Sequence, residues 1–148
     1  MTDQDEVRYL LDTNALSELV KSSQDRRVVA WIDAHERQSF VSTVTFAEIR
    51  RGVELLGPGR RRVALDEWTQ EILPRRFAGR IIDVDLSVAT TWGTLMVRSE
   101  RLGRRLDPID AFIGAAAATH GLTLVTRSIS HFDGLDLQLF DPWNSAQS

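Results

Sequence analysis

The sequence predicts an α/β domain built on a mostly parallel sheet. Short apolar runs of β-like composition alternate with helical stretches along the chain, the order from which strand–helix–strand units are made. Its 148 residues, 43% hydrophobic and 26% charged, fit one domain (residues 1–148) able to bury most of its apolar surface. No repeat, low-complexity tract or linker divides it.

The first strand is expected at Val7 to Leu11, followed by helical segments at Ala15 to Val20 and Arg27 to His35. The second of these sets Val28, Trp31 and Ile32 on one side. Ser39 to Val41 reads as a strand and Thr45 to Leu56 as a helix, stopped by Gly57-Pro58-Gly59. A helix from Arg60 to Leu73 completes a helical hairpin, its end marked by Pro74. Ile81 to Val84 is the next strand and Leu86 to Leu102 the next helix. Asp107-Pro108 then starts a helix as cap and first residue, and Gly121 ends it after His120. Leu122 to Thr126 and Leu137 to Phe140 are the last strands.

Composition narrows the chemistry. No cysteine is present, which excludes disulfides and thiolate metal sites, and three scattered histidines lack the spacing of a zinc site. The start, Met1 to Glu6, is polar and acidic, so no signal peptide is expected. No apolar run approaches the roughly 20 residues needed to span a bilayer, which makes a cytoplasmic protein without membrane contact the expectation. A net charge of -3 argues against coating nucleic acid by charge alone. Lys21 is the only lysine; arginines cluster at Arg50-Arg51, Arg60 to Arg62, Arg75-Arg76 and Arg98 to Arg105. A guanidinium suits phosphate, yet each cluster is also what a solvated helix face looks like.

Asp12, Glu48 and Asp110 are the candidate chemical residues. Each has a structural alternative. Asp12 precedes a helix, Thr45-Phe46-Ala47-Glu48 matches a capping box, and Asp110 follows the cap Asp107 by three residues. Jointly they point elsewhere. Asp12 closes a strand, and the other two open helices that can begin on the same side, beyond the carboxyl ends of the strands where α/β sheets bind ligands. Acids gathered there repel one another unless a cation neutralises them, and oxygen-only ligands suit Mg²⁺ or Mn²⁺. Such a site can bind a phosphate oxygen and activate water for in-line attack. Asn14 is expected to cap the first helix, with Thr13 supporting Asp12.

The segments Leu10-Leu11-Asp12-Thr13-Asn14-Ala15-Leu16-Ser17-Glu18-Leu19, Val41 to Gly52 and Asp107-Pro108-Ile109-Asp110-Ala111-Phe112-Ile113-Gly114-Ala115 resemble PIN-domain ribonucleases, above all VapC-type toxins of bacterial toxin–antitoxin pairs. The resemblance continues through Phe77 to Ile81, Val88 to Gly93, His120 to Arg127 and Asp141-Pro142-Trp143. It implies a PIN fold, a twisted parallel sheet flanked by helices, with an acidic pocket for Mg²⁺ or Mn²⁺. It carries metal-site roles onto Asp12 and Asp110 and a catalytic glutamate onto Glu48. It also implies endonucleolytic RNA cleavage, restraint by a cognate antitoxin, and a homodimer that joins that antitoxin in a heteromeric complex.

The chain departs from the family after Thr126-Arg127, where Asn or Asp is usual and another Asp follows three residues on. Here those positions are Ser128 and His131, and Asp133 is two residues out of place. Thr126 and Ser128 remain as hydroxyl donors to a carboxylate or a water. Weaker metal binding, or a second metal position left empty, follows from the missing acid. The alternative function is a catalytically impaired PIN module that still binds antitoxin or RNA. Phosphoryl transfer through Asp12 is disfavoured: no aspartate stands two residues on, and no lysine lies late in the chain. Packing is the expected role of Trp31, Trp68, Trp92 and Trp143.

Overall fold

Residues 6–144 are described by a computed structural model of the chain. The acidic start on which the absence of a signal peptide was expected lies, apart from Glu6, outside the described residues. A first strand, β1 (Tyr9–Leu11), leads into the short helix α1 (Thr13–Ser17) and a 3₁₀ turn, and α2 (Arg26–His35) returns the chain to β2 (Ser39–Ser42). Next come α3 (Thr43–Leu55), α4 (Arg60–Glu67), a π turn over Trp68–Ile72, α5 (Leu73–Arg76) and β3 (Ile81–Ile82). Two longer helices, α6 (Leu86–Arg101) and α7 (Pro108–His120), precede β4 (Thr123–Val125) and β5 (Leu139–Phe140).

The five strands form one sheet in the order β3-β2-β1-β4-β5. Every pairing is parallel: Tyr9 lies opposite Ser39 on one side and Thr123 on the other. The expected sheet is therefore present, with β2 one residue longer than expected and each of the other strands two residues shorter than its apolar run. Leu10 and Leu11 are fully buried but sit in different cores, because successive side chains of a strand point to opposite faces. Leu10 packs with Leu124 and the apolar sides of α6 and α7. Leu11 packs with Val41, Val125, α1, α2 and the helical hairpin. Burying one such leucine is worth about 1.5–3 kcal/mol, so the centre of the sheet is held from both sides.

Alanine supplies much of the buried face of α7, which lets it lie close to the sheet. At Gly114 a Cβ would come 3.2 Å from the Phe132 ring. Gly121 ends the helix at φ 64°, a left-handed conformation that glycine adopts without strain.

Pro74 does not end the hairpin helix as expected. Helical structure runs on to Arg76. The wide turn before it, in which the Leu73 N–H donates to the Trp68 carbonyl five residues back, accommodates a residue with no N–H and a ring that crowds the preceding turn. Nor does Asn14 cap α1. Asp12 is the cap, and Asn14 is an exposed residue inside the helix. The helix carrying Glu48 starts at Thr43 with Ser42 as its cap, two residues before the expected start, so Thr45 and Glu48 form no capping box.

The tryptophans pack as expected. Trp68 and Trp143 are buried, Trp31 stacks on His35, and Trp92 stacks on Phe112 while its Nε1 donates to the Pro108 carbonyl. Among the described residues no helix is long and apolar enough to cross a membrane.

Candidate functional site

The chain runs outward from β1 to β2 and β3, then crosses back to lay β4 on the other side of β1. That reversal opens a crevice beyond the carboxyl ends of β1 and β4. Asp12 stands at its head. Its N–H donates to the Val125 carbonyl at 3.0 Å, and its Oδ1 accepts the Ala15 N–H at 2.8 Å. The hydroxyl of the fully buried Thr126 also bonds the Asp12 carboxylate while accepting the Ser128 N–H at 3.0 Å. Capping and site formation are thus one arrangement for Asp12, since the cap fixes the carboxylate at the strand end.

Burial pushes the Asp12 carboxyl up to about 6. The hydrogen bonds from Ala15 and Thr126 oppose that rise, and the negative charges of Asp110 and Glu48 add to it. Asp110 is also raised, first by burial, then by Asp107 and Glu48, with His131 pulling the other way. Its own carboxylate is free of capping duty, because Asp107 Oδ1 accepts the N–H groups of both Ile109 and Asp110.

Glu48 is oriented from α1: the Thr13 hydroxyl donates to its Oε1. Thr13 and the fully buried Thr45 hold their hydroxyls 3.1 Å apart, which fixes Thr13 in turn. Thr45 is the supporting residue that the sequence reading missed. Its signal was present as the Thr45-x-x-Glu48 spacing, taken for a cap, whereas the same spacing places both side chains on one face of α3.

The three expected acids therefore act on one another, with Thr13 and Thr126 beside them. Asn14 stays exposed, and Ser128 meets the cluster through its backbone N–H to Thr126. Among the described residues no three acidic or histidine side chains close tightly enough to enclose an ion unaided. Charge repulsion reaches further than ligation, so the acids share a field without being contracted onto one point.

The donor set still fits a hard divalent cation. All the donors are oxygens, and two carboxylates carry ionisation costs that a cation would relieve. Mg²⁺ keeps several of its waters, so Asp12 and Asp110 would suffice as protein ligands, with Glu48 alongside.

A parallel sheet with half-buried carboxylates near one another at its switch point defines a class of small acidic-pocket α/β domains. The PIN domain family model matches residues 9–129, and the chain belongs to that family, within its VapC-type branch. It is 36% identical to a VapC ribonuclease, Y4jK, of Sinorhizobium fredii over 93% of this chain and 99% of the relative. Toxin FitB of Neisseria gonorrhoeae is 35% identical over 91% of this chain and 98% of that protein. The crystal structure of FitAcB from Neisseria gonorrhoeae matches with a TM-score of 0.85 at 35% identity, over 92% of this chain and 99% of that one. Several other matching solved chains come from toxin–antitoxin complexes.

Proposed function

We propose that this chain is a metal-dependent endoribonuclease, the toxin of a toxin–antitoxin pair. The observation that carries the reading is the placement of Asp12, Asp110 and Glu48 at the carboxyl edge of the sheet, where burial first and neighbouring negative charge second raise the carboxyls of the two aspartates. Relatives named as ribonuclease and toxin support the reaction and the biological role. When bound, Mg²⁺ or Mn²⁺ supplies charge neutralisation at the phosphate and makes water a better acid.

In this reading Asp12 and Asp110 hold the cation. Thr126 keeps the Asp12 carboxylate in place. Glu48, with Oε1 committed to Thr13, presents Oε2 to the attacking water and takes its proton. The water oxygen bonds to phosphorus as the P–O bond to one ribose breaks, and the departing ribose oxygen takes a proton from solvent, which leaves a phosphomonoester and a free hydroxyl.

The partner is an antitoxin. A groove of about 280 Å³ between α1, α3 and α4, lined by Val20, Ile49, Val53, Leu56, Leu65 and Trp68, ends at Glu48 and suits an amphipathic helix of that partner. The toxin is read as a homodimer within the complex and, given an RNA substrate, as cytoplasmic.

Purified chain incubated with RNA tests the reading. Cleavage that needs Mg²⁺ or Mn²⁺, stops with EDTA and vanishes in Asp12→Asn and Asp110→Asn supports it. The second reading, a PIN module that binds antitoxin or RNA without cutting, draws on the open spacing of the acids and on Ser128 and His131. RNA binding without cleavage under either metal would leave only that one.

A further inference from the structure

A second cavity, of about 530 Å³, opens beside Asp110, within the roughly 300–1,000 Å³ range of small-ligand sites. It lies between the loop that joins α6 to α7 and the 3₁₀ turn Ile129–Phe132. Arg104, Arg105 and His131 line it together with Asp107, Asp110 and Asp133.

The basic side chains differ in how far they are already engaged. Arg104 donates from Nη1 to the Ser130 carbonyl at 3.0 Å and from Nη2 to the Asp133 carbonyl at 2.9 Å. It therefore staples the turn carrying His131 to the loop, while its charge stays uncompensated by those neutral acceptors. Arg105 makes one ion contact, 3.8 Å to Glu100, and 61% of its side chain faces solvent. His131 is exposed on the turn, and its backbone N–H donates to the Ser128 carbonyl. Of the acids, Asp107 is occupied as the helix cap and Asp133 is exposed.

Four arginines elsewhere are consumed within the fold. Arg50 pairs with Asp66, Arg62 with Glu54, and Arg76 with Glu36, whereas Arg80 is spent on backbone carbonyls. Beside Asp110, donor capacity is left over where a polyanion would arrive.

We propose that this cavity holds an RNA phosphate neighbouring the cleaved one, anchored by Arg105 and His131, with Arg104 as the positioning residue for the turn. The proposal rests on the ribonuclease reading. A planar guanidinium presents paired donors to phosphate oxygens, and an imidazole adds a third from the opposite wall. Arg104 and Arg105 also offset Asp107 and Asp133, so the approach to Asp110 is not uniformly repulsive to RNA.

The test compares wild-type chain with Arg105→Gln, Arg105→Lys and His131→Gln in two assays, both with Mg²⁺ or Mn²⁺ present. The first is cleavage of a defined RNA oligonucleotide across a salt series. Arg105→Gln is expected to raise KM about tenfold with kcat unchanged, the loss of one charged hydrogen bond. The salt slope of log KM is expected to flatten by about 0.7, one phosphate contact on a single strand. Arg105→Lys is expected to recover the slope while regaining only part of the affinity, and His131→Gln to raise KM by a smaller factor.

The second assay is fluorescence anisotropy of the same labelled oligonucleotide on Asp12→Asn protein, with and without Arg105→Gln. Affinity lost in Arg105→Gln with its salt slope flattened supports the subsite even if wild type cleaves nothing, and in that case the ribonuclease reading alone falls. Metal-dependent cleavage with KM, affinity and salt slope all unchanged in Arg105→Gln overturns the subsite and leaves the ribonuclease reading standing. A loss of kcat without any change in KM or slope also overturns it.

Discussion

The Thr13 hydroxyl donates to Oε1 of Glu48, and this bond joins the first turn of α1 to the middle of α3. Among the described residues it is the one hydrogen bond that holds this acid, and it comes from the residue next to the acid at the strand end. Removing it is expected to leave the fold intact and to loosen the proposed general base. Thr13→Val should lower kcat by about 10–100-fold, the range seen when a supporting hydrogen bond at a metal site is lost. Thr13→Ser should restore most of it, because the hydroxyl returns. Steady-state cleavage assays read both, and an unchanged kcat in Thr13→Val would remove Thr13 from the site.

Asp12 should make the metal-free protein more stable in mild acid than at neutral pH. Its carboxyl rises from an ordinary value near 4 to about 6. The folded state therefore holds the proton more tightly than the unfolded chain. The stability this gives is fully present below the ordinary value and is lost as pH rises through about 6. Two units correspond to at most about 3 kcal/mol, and residual contact with water reduces that figure. Asp12→Asn keeps an oxygen for the Ala15 N–H, so it should abolish cleavage yet melt higher than wild type at pH 8 without metal. Thermal melts in EDTA from pH 4 to pH 8 check the slope and its disappearance.

Divalent cation should reverse that penalty. A tenfold excess of Mg²⁺ over its dissociation constant adds about 1.4 kcal/mol, visible as a higher melting temperature at pH 7.5. The gain should shrink near pH 5, where protons compete for Asp12, and should be small in Asp12→Asn and Asp110→Asn. A gain of equal size in both variants would place the ion elsewhere.

Glu18 offers a test of stability separate from the chemistry. It is 2% exposed, accepts the Asp25 N–H through Oε2 at 2.7 Å, and meets Lys21 through Oε1 at 3.1 Å. That Oε1 contact is an ion contact without hydrogen-bond geometry, and the Lys21 side chain is 53% exposed, so the bond to the Asp25 N–H is the stronger tie. Glu18→Ala leaves that N–H without its partner at the start of α2 and should cost about 1–3 kcal/mol. Cleavage per folded molecule should stay unchanged. Denaturant titration alongside activity separates the two effects.

The sheet was legible because its strands are apolar runs bounded by turn residues, and Asp107-Pro108 and Gly121 announced α7 by local chemistry alone. The misreadings share a cause. Asp12 and Asn14 are both good capping residues two positions apart, and only the strand end, fixed by the Asp12 N–H to the Val125 carbonyl, decides between them. Thr45-x-x-Glu48 imitates a cap because Ser42, already in a strand, was not expected to begin a helix. Pro74 reads as a stop unless the π turn before it is known. The acids themselves were identifiable by type and position. Their mutual field, and the bond from Thr126 to Asp12, depend on which strands lie side by side, and no stretch of sequence carries that locally.

That adjacency of β4 to β1 has a consequence for synthesis of the chain. Asp12, Glu48 and Asp110 all leave the ribosome before residues 123–126, yet the Asp12 carboxylate is held by Thr126 and its backbone by Val125. A nascent chain that has made every acid still lacks the strand that assembles them. On this geometry the acidic pocket is completed only when β4 slides in beside β1, after every acid has already been made.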